Sequence, residues 1–247
     1  YQFYTRVRGD GWLEIDPGKP LPDFDRMKDK GVRFAFVRAR TINNEPDCAF
    51  ETAWRELRRV GIPRGAYAFG NASDPRRYAR AFYSTVSQAG NLGELPPVLD
   101  YEYRYLPDKK RTVGQMSVAG CLVWLEEVER LFGRRPIIYT SKSMWISPAP
   151  SWSSDYDLWV ASYRDDRPNM PDGWHDWAFW QYGTPARGKE LGVCSLDIDV
   201  DWFRGDEDEL RKRYGIESSP PPMPITLEER VASLEERVAA LERKSKT

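Results

Sequence analysis

The feature that most constrains the fold is an alternation between two kinds of segment, which extends from about residue 11 to residue 216. Short β-branched and aromatic runs alternate with longer stretches of helical period, an order typical of βα units around a parallel sheet. Three of the longer stretches carry apolar residues at three- and four-residue spacing, and each ends in a glycine that suits a helix C-cap. They predict helices over 50–61, 74–90 and 118–133.

The β-branched and aromatic runs predict eight strands, at 11–16, 32–39, 61–70, 95–103, 135–141, 157–163, 177–183 and 195–203. Between the later runs there is no comparable helical pattern, and the segment DDRPNMPDGWHD is typical of a loop. We therefore predict the α/β class and an irregular, TIM-like β/α barrel, with βα units first and simpler strands last.

The composition changes abruptly after Ile216, so we predict that a barrel domain spans residues 1–216. Residues 217–224, ESSPPPMP, are proline-rich and predict a semi-rigid linker. In residues 225–247 valine and leucine alternate at four- and three-residue steps, which predicts a coiled-coil oligomerisation helix that forms a homo-dimer or trimer. The alternative is one amphipathic helix that lies on its own domain.

Charge and composition exclude several function classes. With 37 basic and 38 acidic residues the net charge is −1, so no nucleic-acid partner is expected. A mean hydropathy of −0.67 and the lack of a long apolar run predict no membrane span, and the first residues show no signal-peptide core. Three scattered cysteines and one histidine, His175, predict no metal site and no cofactor, with the cysteines as buried thiols. Catalysis, if present, is expected to depend on carboxylates.

The segment LPPVLDYEY carries the strongest chemical signal, because Asp100 and Glu102 stand two residues apart at the end of a predicted strand. Side chains at i and i+2 of a strand share one face, so both carboxyl groups should point into the same space. In a parallel barrel that end of the strand holds the active site. Two close carboxyl groups tend to share one proton near neutral pH, as glycosidic cleavage requires. The alternative is a structural pair with a nearby arginine such as Arg104.

Other predicted strand ends add carboxylates and aromatic rings. Asp16 and Glu14 share a face on the first strand, and Asp197, Asp199 and Asp201 share a face on the last. Rings beside carboxylates are typical of sugar-binding grooves, because they cover the apolar faces of pyranoses. The candidate aromatic residues are Tyr67, Tyr139, Trp159, Tyr163, Trp180 and Tyr182.

The ordered set of segments GVRFAFVRA, LPPVLDYE, RRPIIYTS, DLWVASY, WAFWQYG and LDIDVDWFRG resembles glycoside hydrolase family 25 over residues 11–210. These are the Chalaropsis-type lysozymes, which cleave peptidoglycan between N-acetylmuramic acid and N-acetylglucosamine. The resemblance implies that Glu102 is the general acid and that Asp100 is its partner, either a nucleophile or a group that orients the substrate's N-acetyl group. It also implies that Asp199 is the acid on the last strand. Asp16 matches the acid on the first, although an ungapped match would place Glu14 there.

Two positions depart from the family pattern. Ala68 stands where the family often has a histidine, and the segment RARTINN lacks the usual acidic residue. The Asp100–Glu102 pair is retained, so we predict a peptidoglycan hydrolase, either a phage endolysin or a virion-associated lysin. It would act at the cell wall, carried on the virion or released at lysis, with other virion proteins as partners. The alternatives are a wall-binding structural component of a phage tail and a glycosidase for another N-acetylated polysaccharide.

Overall fold

The computed structural model describes residues 22–71, 74–102, 116–164, 166–183, 189–191 and 199–217. Apart from Glu217, these residues belong to the first of the two units into which the chain divides, Tyr1–Ile216. The predicted strand at 11–16, the linker beyond Glu217 and the predicted coiled coil at 225–247 lie outside the described residues.

The described residues contain both kinds of element that the sequence predicts. The strands are β1 (Ala35–Arg40), β2 (Arg64–Phe69), β3 (Val98–Asp100), β4 (Ile137–Thr140), β5 (Asp157–Ala161), β6 (Phe179–Gly183) and β7 (Val200–Phe203). The helices are α1 (Phe24–Asp29), α2 (Phe50–Arg59), α3 (Pro75–Gln88), α4 (Val118–Phe132), α5 (Glu207–Tyr214) and a 3₁₀ turn (Ser153–Asp155). The helices α2, α3 and α4 match the three predicted from periodicity, whereas the short α1 and α5 were not predicted.

Local sequence signals set the ends of the longer helices. Asp74 caps α3 by accepting the backbone N–H of Arg77, and Ser117 caps α4 in the same way by accepting that of Gly120. At the end of α4, Gly133 has φ of 68°, the left-handed conformation that glycine adopts without steric cost.

The seven strands form one sheet in sequence order, and β1 to β6 are parallel. The last strand departs from the predicted parallel pattern, because β7 pairs with β6 in the antiparallel direction. Side-chain alternation is the same in both directions along a strand, so the sequence pattern did not encode this reversal. An antiparallel β7 begins at the edge of the sheet where the parallel strands end.

Ring contacts across the inner face show that the sheet is curled. Phe36 on β1 stacks on Trp159 of β5 with ring centroids 4.5 Å apart, and it meets Phe179 of β6 edge-on at 5.0 Å. In a flat sheet, four strand spacings would hold β1 and β5 about 19 Å apart. The sheet is therefore a half-barrel with a packed aromatic interior.

A second, larger apolar cluster covers the outer face of the sheet, where α2, α3 and α4 pack. It contains Cys121, which is buried as predicted, whereas Cys48 is exposed, contrary to that prediction. Among the described helices, none combines the length and the apolar character needed to cross a membrane. Both faces of the sheet are thus filled, and polar groups concentrate at the edge where β1 to β6 end, which we call the upper rim.

Candidate active site

Asp100 is the last residue of β3, and backbone hydrogen bonding to the neighbouring strands continues to Tyr101. The N–H of Gly70 donates to the Asp100 carbonyl at 2.8 Å, and the N–H of Tyr101 donates to the carbonyl of Tyr139 at 2.8 Å. A Cβ at position 70 would lie 3.2 Å from the Asp100 carbonyl oxygen, so glycine permits this close approach. Tied on both sides, the segment places Asp100 and Glu102 on the inner face, as the two-residue spacing predicts.

Burial raises the pKa of both carboxyl groups, and like charge adds to the shift at Asp100. Asp100 is 1% exposed, and neither of its carboxylate oxygens has a hydrogen-bond partner among the described residues. Desolvation, followed by the charge of Glu102, raises the pKa of Asp100 well above its usual range, although Arg38 opposes this. Desolvation also raises the pKa of Glu102 to about 7. Near neutral pH the pair therefore retains a proton that an exposed pair would have lost.

A third acid, Asp199, approaches this pair from β7, the last strand of the sheet. It immediately precedes β7, it is buried, and its charge raises the pKa of both Asp100 and Tyr139. Because β7 is antiparallel, the start of this strand lies at the upper rim. The sequence predicted that Asp199 would converge with Asp100, and the structure achieves this through the reversed strand.

Two tyrosines share one acceptor beside the acids. The hydroxyl groups of Tyr139 and Tyr163 donate to Oε1 of Gln181, at 2.8 and 3.1 Å. Tyr139 is buried, whereas Tyr163 is 63% exposed. Gln181 thereby fixes one ring inside the site and another at its surface.

A groove of about 580 Å³ opens at the upper rim. Glu102 lines it together with Tyr139 and Tyr163. The wall is completed by Ser141, Lys142, Ser143, Met144, Ala161, Ser162, Arg164 and Asn169. The described part of the chain shows no group of three or more histidine, cysteine or acidic side chains that could hold a metal ion. The arrangement can bind an extended ligand beside a protonated carboxyl group.

The family model described as glycosyl hydrolases family 25 matches residues 18–190, which is more than half of the chain. The chain belongs to this family.

Its relatives extend over most of the sequence. The uncharacterized protein YegX of Escherichia coli (strain K12) is 33% identical over 199 residues, which cover 79% of this chain and 69% of YegX. Lysozyme M1 of Streptomyces globisporus is 28% identical and the match covers 74% of this chain and 64% of that protein. The structure of the bacterial lysozyme from Streptomyces coelicolor has a TM-score of 0.63 at 26% identity, covering 80% of this chain and 93% of that one. The protein is thus a glycoside hydrolase of family 25.

The aromatic residues predicted to line the groove of this family 25 enzyme divide into three groups. Tyr139 and Tyr163 line it. Tyr67 and Trp159 face the interior but are fully buried below the rim, where Trp159 donates its indole N–H to Asp201 at 2.7 Å. They support the site from beneath, and they do not form its surface.

Trp180 is not brought to the site. Trp180 is adjacent to Gln181 on β6, so its side chain points to the opposite face of the sheet. It packs in the outer cluster and donates its indole N–H to the carbonyl of Ser162. Tyr182 lies on the same outer side, stacked with Trp202. The prediction that Trp180 binds substrate is therefore corrected by the register of the strand, since one residue along a strand reverses the face.

Several other predicted positions can be located, and some cannot. Ala68, the departure from the family pattern, packs in the outer cluster and away from the groove. Asp201 faces inward and accepts the Trp159 indole N–H. Asp16, Glu14 and Asp197 lie outside the described residues, as does Arg104 of the structural alternative.

The sequence analysis missed two polar residues at the centre of the site. Gln181 lies within the apolar run WAFWQYG. Arg38 lies within VRFAFVRA, two residues after Phe36, so both side chains point to the inner face of the sheet. Arg38 forms an ion pair of 2.7 Å with buried Asp47, and its charge opposes the raised pKa of Asp100. A polar residue at an inward position of an otherwise apolar strand was the available signal.

Proposed function

We propose that this family 25 enzyme is a muramidase, which hydrolyses the β-1,4 bond between N-acetylmuramic acid and N-acetylglucosamine in peptidoglycan. The observation that supports this most is Glu102, a carboxyl group with its pKa raised to about 7 that lines a groove and stands beside a second buried carboxyl group. Lysozyme M1 and the Streptomyces coelicolor lysozyme carry the corresponding activity in their names.

In the proposed step, protonated Glu102 donates its proton to the glycosidic oxygen as the bond from that oxygen to the anomeric carbon breaks. The electron pair of the bond leaves with the oxygen, and positive charge develops on the sugar ring. Asp199, together with Asp100 in the state in which Glu102 carries the shared proton of the pair, supplies the negative field that stabilises this charge. Water then adds to the anomeric carbon, and its proton returns to the Glu102 carboxylate.

Release of new reducing ends from purified peptidoglycan tests this function. We expect muramic acid ends from the wild-type protein and almost none from the Glu102→Gln variant. New ends on glucosamine, or equal activity of the variant, would contradict the proposal. Binding of peptidoglycan without any release would instead favour a wall-binding structural component, and release from another N-acetylated polysaccharide alone would favour a different glycosidase.

Asp100 has two possible roles within this mechanism, as a nucleophile or as the group that orients the N-acetyl group of the substrate. A 2-fluoro glycoside that traps covalent glycosyl-enzymes distinguishes the two. A labelled Asp100 peptide would establish the nucleophile, whereas no label together with normal turnover of N-acetylated substrate supports orientation.

We further propose that the first strand, at residues 11–16, closes the half-barrel and adds one more acid to the rim. The family resemblance favours Asp16, with Glu14 as the alternative. Matched variants Asp16→Asn and Glu14→Gln separate them, since the one that contributes to the site should lose activity on peptidoglycan while the other retains it.

The C-terminal segment supports a role in a larger assembly, as a virion-associated lysin or phage endolysin that acts at the host cell wall. A proline-rich linker and a heptad pattern would join copies of the chain into a dimer or trimer. Sedimentation velocity of Leu234→Glu against the matched Ser233→Glu variant tests the coil. Leu234→Glu, at a core position of the heptad pattern, should lower the oligomeric state, whereas Ser233→Glu should not. A monomeric wild-type protein would contradict the proposed coiled coil.

A further inference from the structure

Two basic side chains lie on the wall of the groove and take no part in the proposed proton transfer. Lys142 stands two residues after β4, and Arg164 stands three residues after β5. These strands are parallel neighbours, so the turns that follow them leave the sheet side by side at the upper rim. Both cations therefore flank the same groove that Glu102 lines.

The two turns are anchored by hydrogen bonds. After Lys142, two successive backbone N–H groups donate to the Ser141 carbonyl at 3.1 and 3.0 Å. The N–H of Arg164 donates to the carbonyl of buried Ser162 at 3.0 Å, and the N–H of Asn169 donates to the Ser162 hydroxyl at 2.9 Å. The backbone thus fixes the two turns from which Lys142 and Arg164 extend, so the base of each side chain is in place before any ligand binds.

The charge of this wall is not balanced by the protein groups that line it. Glu102 is the acidic residue among the described groove-lining residues, and its pKa of about 7 keeps it largely uncharged at mildly acidic pH. Arg164 meets Asp166 at 3.8 Å, but both side chains are more than half exposed, and such pairs are weak. The wall therefore presents net positive charge to a ligand.

We propose that Lys142 and Arg164 form a carboxylate-binding subsite, which makes the groove select glycans that carry carboxylates over neutral N-acetylated glycans. This inference rests on the proposed muramidase function and deepens it. In peptidoglycan the carboxylate is on the lactyl ether of the muramic acid or on the peptide attached to it. A neutral polysaccharide of N-acetylglucosamine offers no such group.

Binding in an inactive background tests the subsite without depending on cleavage. In Glu102→Gln protein, we compare Lys142→Met/Arg164→Gln with a matched control, Lys30→Met/Arg58→Gln, which makes the same charge change at exposed positions near the opposite ends of the strands. Co-sedimentation measures Kd for intact peptidoglycan, for peptide-stripped glycan and for stripped glycan whose lactyl carboxyl groups are amidated.

We expect the groove variant to raise Kd about 3- to 10-fold on a carboxylate-bearing glycan, with the loss reduced at high salt. The control should leave Kd unchanged. A loss on intact peptidoglycan alone assigns the carboxylate to the peptide, and a loss on stripped glycan as well assigns it to the lactyl group. Equal Kd for variant and control on all three ligands, or an equal loss on the amidated glycan, would overturn the proposal.

The same pair of double variants, made with Glu102 intact, allows an independent kinetic test of the subsite by reducing-end release. The subsite predicts a higher KM on peptidoglycan with kcat little changed. If the wild-type protein releases no ends at all, the muramidase proposal fails, while the Kd comparison still decides whether the cations select carboxylates.

Discussion

Two glutamates of this protein are both largely shielded from water but have opposite electrostatic surroundings. Glu127 on α4 is 3% exposed and lies among Arg130, Arg80 and Arg76, and hydrogen bonds from Arg130 and then Arg80 lower its pKa to about 2. Glu102 lies beside Asp100, and desolvation raises its pKa to about 7. The same side chain is thus a stabilising anion at the helix surface and a carboxyl group that holds its proton to near-neutral pH at the rim. The difference lies in the neighbours that each segment of the fold supplies.

The largest expected effect is the loss of activity when Glu102, but not Glu127, is replaced. Glu102→Gln keeps the shape of the side chain but removes its proton, and we expect reducing-end release to fall by about 10²- to 10⁴-fold. The matched Glu127→Gln variant should retain the wild-type rate per folded molecule. A Glu102→Gln variant with near-normal turnover would mean that another group is the general acid.

The second prediction concerns the pH dependence of the rate. If Glu102 is the general acid that we propose, it must be protonated to act, and kcat should fall as pH rises through about 7, by tenfold per pH unit once the group is ionised. The profile is measured on solubilised peptidoglycan over pH 4–9. An alkaline limb near pH 4.5, the ordinary value for glutamate, would indicate that burial does not raise the pKa of the working group.

The third prediction concerns the free energy of unfolding, which the raised pKa of Glu102 lowers above its ordinary pKa. The unfolded chain ionises Glu102 at about 4.5, whereas the folded protein does so at about 7, so the wild-type protein loses stability as pH rises between these values. Glu102→Gln removes this loss. In urea unfolding it should be more stable than the wild-type protein by about 3 kcal/mol at pH 8 and nearly equal at pH 4.

The fourth prediction reverses the sign at Glu127. Its lowered pKa contributes stability above pH 4.5 that is lost as pH falls towards 2. Glu127→Gln should therefore cost about 1–2 kcal/mol in urea unfolding at pH 7, because charged hydrogen bonds to two arginines are lost, and the difference should shrink in acid. A variant as stable as the wild-type protein at pH 7 would show that these exposed arginines contribute nothing.

The smallest effect sharpens the description of the groove. Tyr163→Phe removes one of the two hydroxyl groups that donate to Gln181, while Tyr139 retains its hydrogen bond. We expect activity to fall about 2- to 10-fold, mainly through KM, because one neutral hydrogen bond at a partly exposed position is lost. The Tyr139→Phe variant, at the buried member of the pair, should lose more.

Much of this molecule was predictable because the signals were local. Helices α2, α3 and α4 followed from apolar periodicity and terminal glycines. The placement of Asp100 and Glu102 on one face followed from the two-residue period of a strand, which holds in any sheet. The less accurate predictions concerned strand register, since Trp180 and Gln181 are adjacent in sequence but lie on opposite faces.

The sequence by itself determined the α/β class, the paired carboxyl groups and the family, because these depend on residue type and short spacing. The tertiary structure decided the direction of β7, which brings Asp199 to the rim, and the curl that packs Phe36 against Trp159 across the interior. It also decided the pKa of each carboxyl group. Desolvation and neighbouring charge are sums over residues distant in sequence, so the strand-end spacing marks Glu102 as a candidate, but only the folded surroundings set its pKa so far from that of Glu127.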